Sequence, residues 1–181
     1  SEVLVTALDQ VEAGNLDEAD ARLAPLADDG EGGAQAQAQM LRAGIALEQG
    51  RNAEAAALFE QVAANGDIPE SLRDLAELRA VVAAYDTLEP SEVITRLTPL
   101  AQEGEAYFGS AGEILAMAHL DAGDSKKAGE LFAKIAMNED VPNTIRGRAR
   151  QMASVLGVDA VGDVDDLIEN MRRSSAAGPQ Q

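Results

Sequence analysis

The chain has 181 residues, with 32 acidic against 14 basic side chains and a net charge of −18, so it lacks the clustered Lys and Arg that a nucleic-acid backbone or an anionic lipid surface demands. Aromatic residues are 3% and cysteine is absent, which removes disulfides, thiol catalysis and thiolate metal sites while leaving the redox compartment open. An apolar share of 46%, mainly Ala and Leu, predicts an all-α chain long enough to bury a continuous core.

Leu4, Leu8 and Val11 stand at i, i+4, i+7 and predict the inner face of a first helix. Gly14-Asn15 ends it, because both residues accept a left-handed C-cap. Asp17 and Glu18 open a second helix at the positive end of its dipole, and Asp28 to Gly33 is a loop by its glycines. A third helix is predicted near 34–49, with Met40, Leu41, Ile45 and Leu47 as apolar positions, and Gly50 breaks it. A fourth follows near 53–64. Asn65-Gly66-Asp67 is a turn, and Pro69 suits the first turn of a fifth helix running through Leu72, Leu75, Leu78, Val82 and Tyr85. Pro90 begins a sixth. Pro25 and Pro99 lie inside helical patterns, so each of those helices is expected to kink or restart there.

Helices near 107–122, 125–137 and 143–156 come next, then a loop from Gly157 to Gly162. Val164, Leu167, Ile168 and Met171 mark a short amphipathic terminal helix, and 174–181 has the composition of a disordered tail. No apolar run approaches the roughly 18 residues that span a bilayer. Ser1 stands where a start methionine would, so the expectation is that residues upstream were removed or trimmed, which does not distinguish a signal from an anchor.

The chain repeats itself. Gly50, Ala55, Leu58-Phe59, Asn65, Asp67, Pro69 and Arg73 return as Gly123, Ala128, Leu131-Phe132, Asn138, Asp140, Pro142 and Arg146, always 73 residues on. Upstream, Arg22-Leu23-Ala24-Pro25-Leu26-Ala27 and Gly30-Glu31 return as Arg96-Leu97-Thr98-Pro99-Leu100-Ala101 and Gly104-Glu105, with an offset of 74. The slipped residue falls in a loop, where solvated backbone tolerates it. The duplicated halves run over roughly 11–83 and 85–156. Each is twice a helical hairpin of about 34–40 residues, the size class of helical-repeat proteins.

Gly14-Asn15-Leu16-Asp17-Glu18-Ala19 with Leu23, Gly50 with Ala55 and Phe59, and Gly123-Asp124 with Ala128 and Phe132 resemble the turn and second helix of a tetratricopeptide repeat. Small residues there let two helices approach, and the aromatic wedges against the next hairpin. The first-helix aromatic of that repeat does not recur, and the third unit carries Thr87-Leu88 in place of the glycine turn. The fold expected is an all-α, right-handed α-solenoid of about four hairpins. It forms one domain over 1–173, with C-terminal capping helices (cap 157–173).

Over residues 1–157, the run Pro69-Glu70-Ser71-Leu72-Arg73-Asp74-Leu75-Ala76, then Arg96-Leu97-Thr98-Pro99-Leu100, then Leu120-Asp121-Ala122-Gly123-Asp124 resembles the soluble domain of the ancillary SecYEG translocon subunit family. Members of that family are bacterial, carry one N-terminal transmembrane helix and place a repeat domain in the periplasm. There they associate with the translocon and with chaperones that meet emerging polypeptides. The resemblance implies tethering to the inner membrane through an anchor absent from this sequence, and a cytoplasmic location if no such anchor exists.

In tetratricopeptide arrays the first helices of successive units line a concave groove. That resemblance places Met40, Gly44 and Leu47, then Leu78, Val82 and Tyr85, then Glu113, Met117 and Leu120 along it, each trio on one helical face. These residues either line an open groove, where adaptable Met suits extended apolar segments, or pack the solenoid core or the C-terminal helix. That helix (Val164 to Met171) either caps the last hairpin, occupies the groove or binds a partner. The acidic charge serves solubility or steers a basic partner.

His119 is the only histidine, and Asp121, two residues on, faces elsewhere on the helix. Asp159, Asp163, Asp165 and Asp166 lack the spacing and glycine of a calcium loop. No phosphate loop, dinucleotide fingerprint or nucleophile elbow is present. The expectation is a non-catalytic, largely monomeric protein–protein interaction module that needs no metal and no cofactor. It would recruit translocon components, periplasmic chaperones or client polypeptides. The alternative is a soluble self-associating scaffold in which a neighbouring copy fills the groove.

Overall fold

The computed structural model describes residues 2–158. Within them lie nine α-helices: α1 (Glu2–Glu12), α2 (Leu16–Asp29), α3 (Gly32–Glu48), α4 (Asn52–Ala63), α5 (Glu70–Ala84), α6 (Pro90–Leu97), α7 (Phe108–Asp121), α8 (Ser125–Met137) and α9 (Asn143–Val155). A single 3-10 turn, Tyr85–Thr87, separates α5 from α6, and no strand occurs among the described residues. From α1 to α6, and again from α7 to α9, each helix packs against the next as an antiparallel pair. The terminal helix expected at Val164–Met171, most of the cap and the tail at 174–181 lie outside the described residues.

Glycine sets the punctuation. Gly14, Gly50, Gly123 and Gly157 all have positive φ, between 72° and 83°. At Gly50 the backbone N–H bonds Leu47 O at 3.0 Å and Arg51 N–H bonds Ala46 O at 2.8 Å. This paired closure is the Schellman motif, and it satisfies carbonyls that the helix end would otherwise orphan. The same pair recurs at Gly123 (Leu120 O, and Asp124 to His119 O) and at Gly157 (Ser154 O, and Val158 to Ala153 O). The Thr87-Leu88 connection has no glycine and closes instead through the 3-10 turn, with Pro90 at the start of α6.

The duplication extends to side chains. Asn65 Oδ1 accepts from Asp67 N–H at 2.9 Å, and Asn138 Oδ1 accepts from Asp140 N–H at 2.9 Å. Ile68 and Val141, each one residue further on, are both buried, and the Nε atoms of Arg73 and Arg146 are both buried without an acceptor. Two prolines behave differently. α2 runs through Pro25 without interruption, because Pro25 and Ala21, whose carbonyl loses its helical partner, are both on the exposed side and water can serve that oxygen. α6 stops at Leu97, two residues before Pro99, with the Thr98 hydroxyl donating to Ile94 O at 2.6 Å.

The core is built on alanine. Ala7, Ala19, Ala36, Ala38, Ala43, Ala46, Ala55, Ala76 and Ala80 have no exposed surface, and larger Leu23, Phe59, Val62 and Val81 fill the space between them. In α1 the inward residues are Leu4, Ala7 and Val11, packed on the Leu23 cluster. Leu8 is 44% exposed, so it does not belong to the inner face on which its spacing had placed it. The face turns because Ala7, not Leu8, sits over α2.

Two compact units result, Ser1–Leu100 and Ala101–Gln181. The division falls after α6, later than the seam of the duplication, because Arg96 of α6 pairs with Glu60 of α4 at 3.1 Å and with Glu77 of α5 at 2.7 Å. In the second unit α7 approaches its neighbours through glycines. A Cβ at Gly109 would meet Val141 Cγ1 at 2.7 Å, and one at Gly112 would meet Ile135 Cδ1 at 2.8 Å. Valine is short and β-branched and cannot turn aside, whereas the end of an isoleucine can.

Gly109→Ala is therefore expected to cost about 1–2 kcal/mol. Gly112→Ala should stay within about 0.5 kcal/mol of the parent, its clash offset by helix propensity worth up to about 1 kcal/mol. Thermal denaturation checks the pair, and a Gly109→Ala protein as stable as the parent would contradict the packing.

Candidate interaction surface

The nine predicted groove residues divide by depth. Met40 packs on both the Phe59 and the Val62 clusters, Leu78 is buried at 7% exposure, and Leu120 packs against the Phe132 core. Glu113 is occupied: both its oxygens accept from Arg148 of α9, at 3.1 and 2.7 Å. Tyr85 is half-buried at the start of the 3-10 turn. Four positions remain open to solvent. Gly44 has no atom near where a Cβ would stand, and Leu47, Val82 and Met117 are 40%, 50% and 40% exposed.

In the first unit, Leu47 follows Ala46 on α3 and Val82 precedes Ala83 on α5, and both alanines pack in the Phe59 cluster. Leu47 and Val82 thus sit at the outer margin of one core. Met117 offers a similar apolar surface in the second unit, between the buried Ala116 and Ala118 of α7. Other exposed apolar side chains were not legible as surface: Val3, Val5 and Leu8 on α1, Met137 at the end of α8, and Val155 at the end of α9. Val155 is 73 residues beyond Val82, so the duplication itself marked it.

Charge on this framework is locally paired. Arg42 of α3 donates to Asp20 of α2 at 2.8 Å and to Asp28 at 3.3 Å. The Asp20 hydrogen bond holds the Arg42 guanidinium above its ordinary pKa, against the opposing effect of burial. His119 is held below the usual imidazole value, first by partial burial and then by Lys127, with Asp124 pulling the other way. Asp124 itself caps α8 by accepting from Lys127 N–H at 3.1 Å. That backbone bond is the main cause of its lowered pKa. Among the described residues, no group of three or more His, Asp or Glu is placed to hold a metal ion, and no helix is long and apolar enough to cross a membrane.

Two cavities occupy equivalent places in the duplicated halves. The first, about 690 Å³, is lined by Gly30, Glu31, Gly32, Gln35, Gln39, Gln61, Ala64, Asn65 and Asp67. The second, about 370 Å³, is lined by Gly104, Glu105, Ala106, Phe108, Gly109, Ser110, Asn138, Asp140, Val141, Pro142 and Ile145. Each lies between the Gly-Glu loop before one helix and the Asn-x-Asp turn after the next. Their walls have diverged, from glutamine amides in the first to Phe, Val, Pro and Ile in the second. The sequence signal was there, since Gly30-Glu31 and Asn65-x-Asp67 are repeated loop residues that no core packing requires.

Comparison with protein-family models, curated proteins and solved structures gives no match to this chain.

Proposed function

We propose that the chain is a non-catalytic protein–protein interaction module, the periplasmic domain of a membrane-tethered, translocon-associated protein of the ancillary SecYEG subunit type. In this reading its hairpins form a right-handed, tetratricopeptide-like solenoid whose apolar surface holds a chaperone or client polypeptide near the membrane. Tethering raises the local concentration of the held chain, which strengthens later contacts without adding new ones. The observation that carries the reading is the exposure of Leu47 and Val82 beside a closed core. Apolar side chains that fold stability leaves outside are available to bind.

A specific feature favours the second reading, a self-associating scaffold: α1 exposes Val5 and Leu8, three residues apart on one helical face. Light scattering separates the two. The recruitment reading expects a monomer of 18.9 kDa, and a concentration-dependent oligomer lost in Val5→Asp would favour the scaffold. The tether is tested by the gene upstream of Ser1. A Lys/Arg-flanked apolar run of about 20 residues without a small-residue cleavage site supports it, and a start codon at this point would sink the translocon assignment.

A further inference from the structure

We propose that the open side of α9 is a docking surface for residues 164–171 of this same chain, which seat there as α6 seats on α5. This docking is independent of what Leu47 and Val82 bind. Three positions that are covered on α5 lie bare on α9. Glu77 is half-buried under Arg96 of α6, Leu78 is 7% exposed and Val81 has no exposed surface. Their counterparts 73 residues on, Arg150, Gln151 and Ser154, are all exposed and share one side of α9. Val155 beside them is 80% exposed.

The duplication marks the occupant. With the 74-residue offset that carries Arg22 to Arg96, the α2 residues Leu16, Glu18, Ala19 and Leu23 return in α6 as Pro90, Glu92, Val93 and Leu97. They return again as Val164, Asp166, Leu167 and Met171. Ala19 with Leu23, and Val93 with Leu97, are buried in the two earlier copies, and apolar Leu167 and Met171 take those places in the third. α2 packs on α1 and α6 packs on α5, in each case the helix before it, so the third copy belongs on α9. The path starts at Gly157, where a φ of 77° and the Schellman closure turn the chain back. Val158 then rests on α8, since a Cβ at Gly129 would meet its Cγ2 at 2.7 Å.

Charge selects the same occupant. α9 carries Arg146, Arg148 and Arg150 and no acid, in a chain of net charge −18. Arg148 is held by Glu113, whereas Arg150 enters none of the ion pairs among the described residues. Residues 163–171 carry Asp163, Asp165, Asp166 and Glu169 and no cation. In the α6 register Asn170 stands where Arg96 does, and Asp166 lies one turn before it on the same face. The Glu77–Arg96 pair is thus reversed in sign, with Arg150 on α9 and Asp166 on the incoming segment. Gln151 and Ser154 are more polar than Leu78 and Val81, so charge takes a larger share here than in the docking of α6.

The chain has no cysteine, so Ser174→Cys gives one place for a nitroxide label, and the full chain is then followed by amide nuclear magnetic resonance. An antiparallel seat puts the label beside Gly147 and Arg150, away from Val155. Loss of at least about half of the amide signal at Gly147 and Arg150 is expected, because docking within one chain acts at high effective concentration. Arg150→Glu, at an exposed site, should restore those signals with the circular dichroism unchanged. Adding Asp166→Arg should remove them again, and Leu167→Asp alone should restore them. Signals left intact along α9, loss that Arg150→Glu does not change, or loss centred on another helix would overturn the proposal. A mixture of nitroxide-labelled chains with label-free, nitrogen-15 chains separates the sources. Broadening of α9 in that mixture would assign the seat to a second copy and overturn the intramolecular occupant.

Discussion

Replacing Phe132 with alanine lowers the unfolding free energy of the second unit by about 3–5 kcal/mol. Phe132 is 2% exposed and packs among Phe108, Ala116, Ala128, Ala133, Ile135, Ala136, Val141, Ala149 and Ala153. Most of these neighbours are methyl groups fixed to helix backbones. These alanines cannot move into the space the ring vacates, whereas Leu120, Leu131 and Met152, packed against the cluster from its margin, can fill part of it, so the cost falls within the range rather than at its top. Phe59→Ala should cost the first unit a similar amount, since Phe59 is 1% exposed among Ala43, Ala46, Ala55, Leu58 and Ala80. Urea denaturation followed by circular dichroism at 222 nm measures both. A loss below about 1 kcal/mol in either variant would mean that the ring is not the centre of its core.

Arg96→Ala is expected to cost the first unit about 2 kcal/mol, between the values for exposed and for buried pairs. The guanidinium grips both oxygens of Glu77, at 2.7 and 3.2 Å, and reaches Glu60 at 3.1 Å. The Arg96 and Glu77 side chains are only 19% and 27% exposed, so solvent screens the pair incompletely. The Glu77 hydrogen bond is the leading cause of the raised pKa of Arg96, outweighing burial. Removing the arginine leaves Glu77 partly buried without its fork, and Arg96→Lys should recover less than half of the loss because an ammonium cannot bond both oxygens. A double-mutant cycle with Glu77→Ala should give a coupling above about 1 kcal/mol. By contrast Arg22, at the equivalent place in the first copy, pairs with Glu18 on its own helix with both side chains about half exposed, and Arg22→Ala should change stability by less than about 0.5 kcal/mol. Equal losses at Arg96 and Arg22 would remove α6 docking as the reason the first unit extends past the duplication seam.

Much of the helical layout was legible because this chain punctuates itself with residues of narrow conformational use. Gly14, Gly50 and Gly123 were marked as helix ends by type, and their positive φ and paired closures follow from having no Cβ. Asn65 was marked as a turn and Asn138 as its repeat, and both accept from the N–H two residues on. Depth was harder to see. Periodicity reads large apolar side chains, but here alanine carries the buried face, so Ala46 is inside while Leu47 beside it is not, and Leu8 lost its inner place to Ala7. The same effect split the groove trios, sending Leu78 into the core and leaving Val82 outside. Pro25 and Pro99 share a sequence pattern yet differ in helix continuity, since context around Ala21 and Thr98 decides whether the interrupted turn is kept. The larger cavity was not legible because it is made by loops and by glutamines, and the partners of Gln39, Ala27 O and Gln61, lie 12 and 22 residues away.

The binding role proposed for Leu47 and Val82 is tested most directly by fluorescence anisotropy, titrating the chain into a fluorescein-labelled, permanently unfolded polypeptide. Saturable binding is predicted, weakened at least about tenfold, or about 1.4 kcal/mol, when Leu47→Asp and Val82→Asp are combined, with the helical circular dichroism unchanged. Met117→Asp, made separately, reports whether the second unit contributes. Absence of binding, or binding that the Leu47→Asp and Val82→Asp pair leaves untouched, would contradict the recruitment of extended apolar segments by this surface.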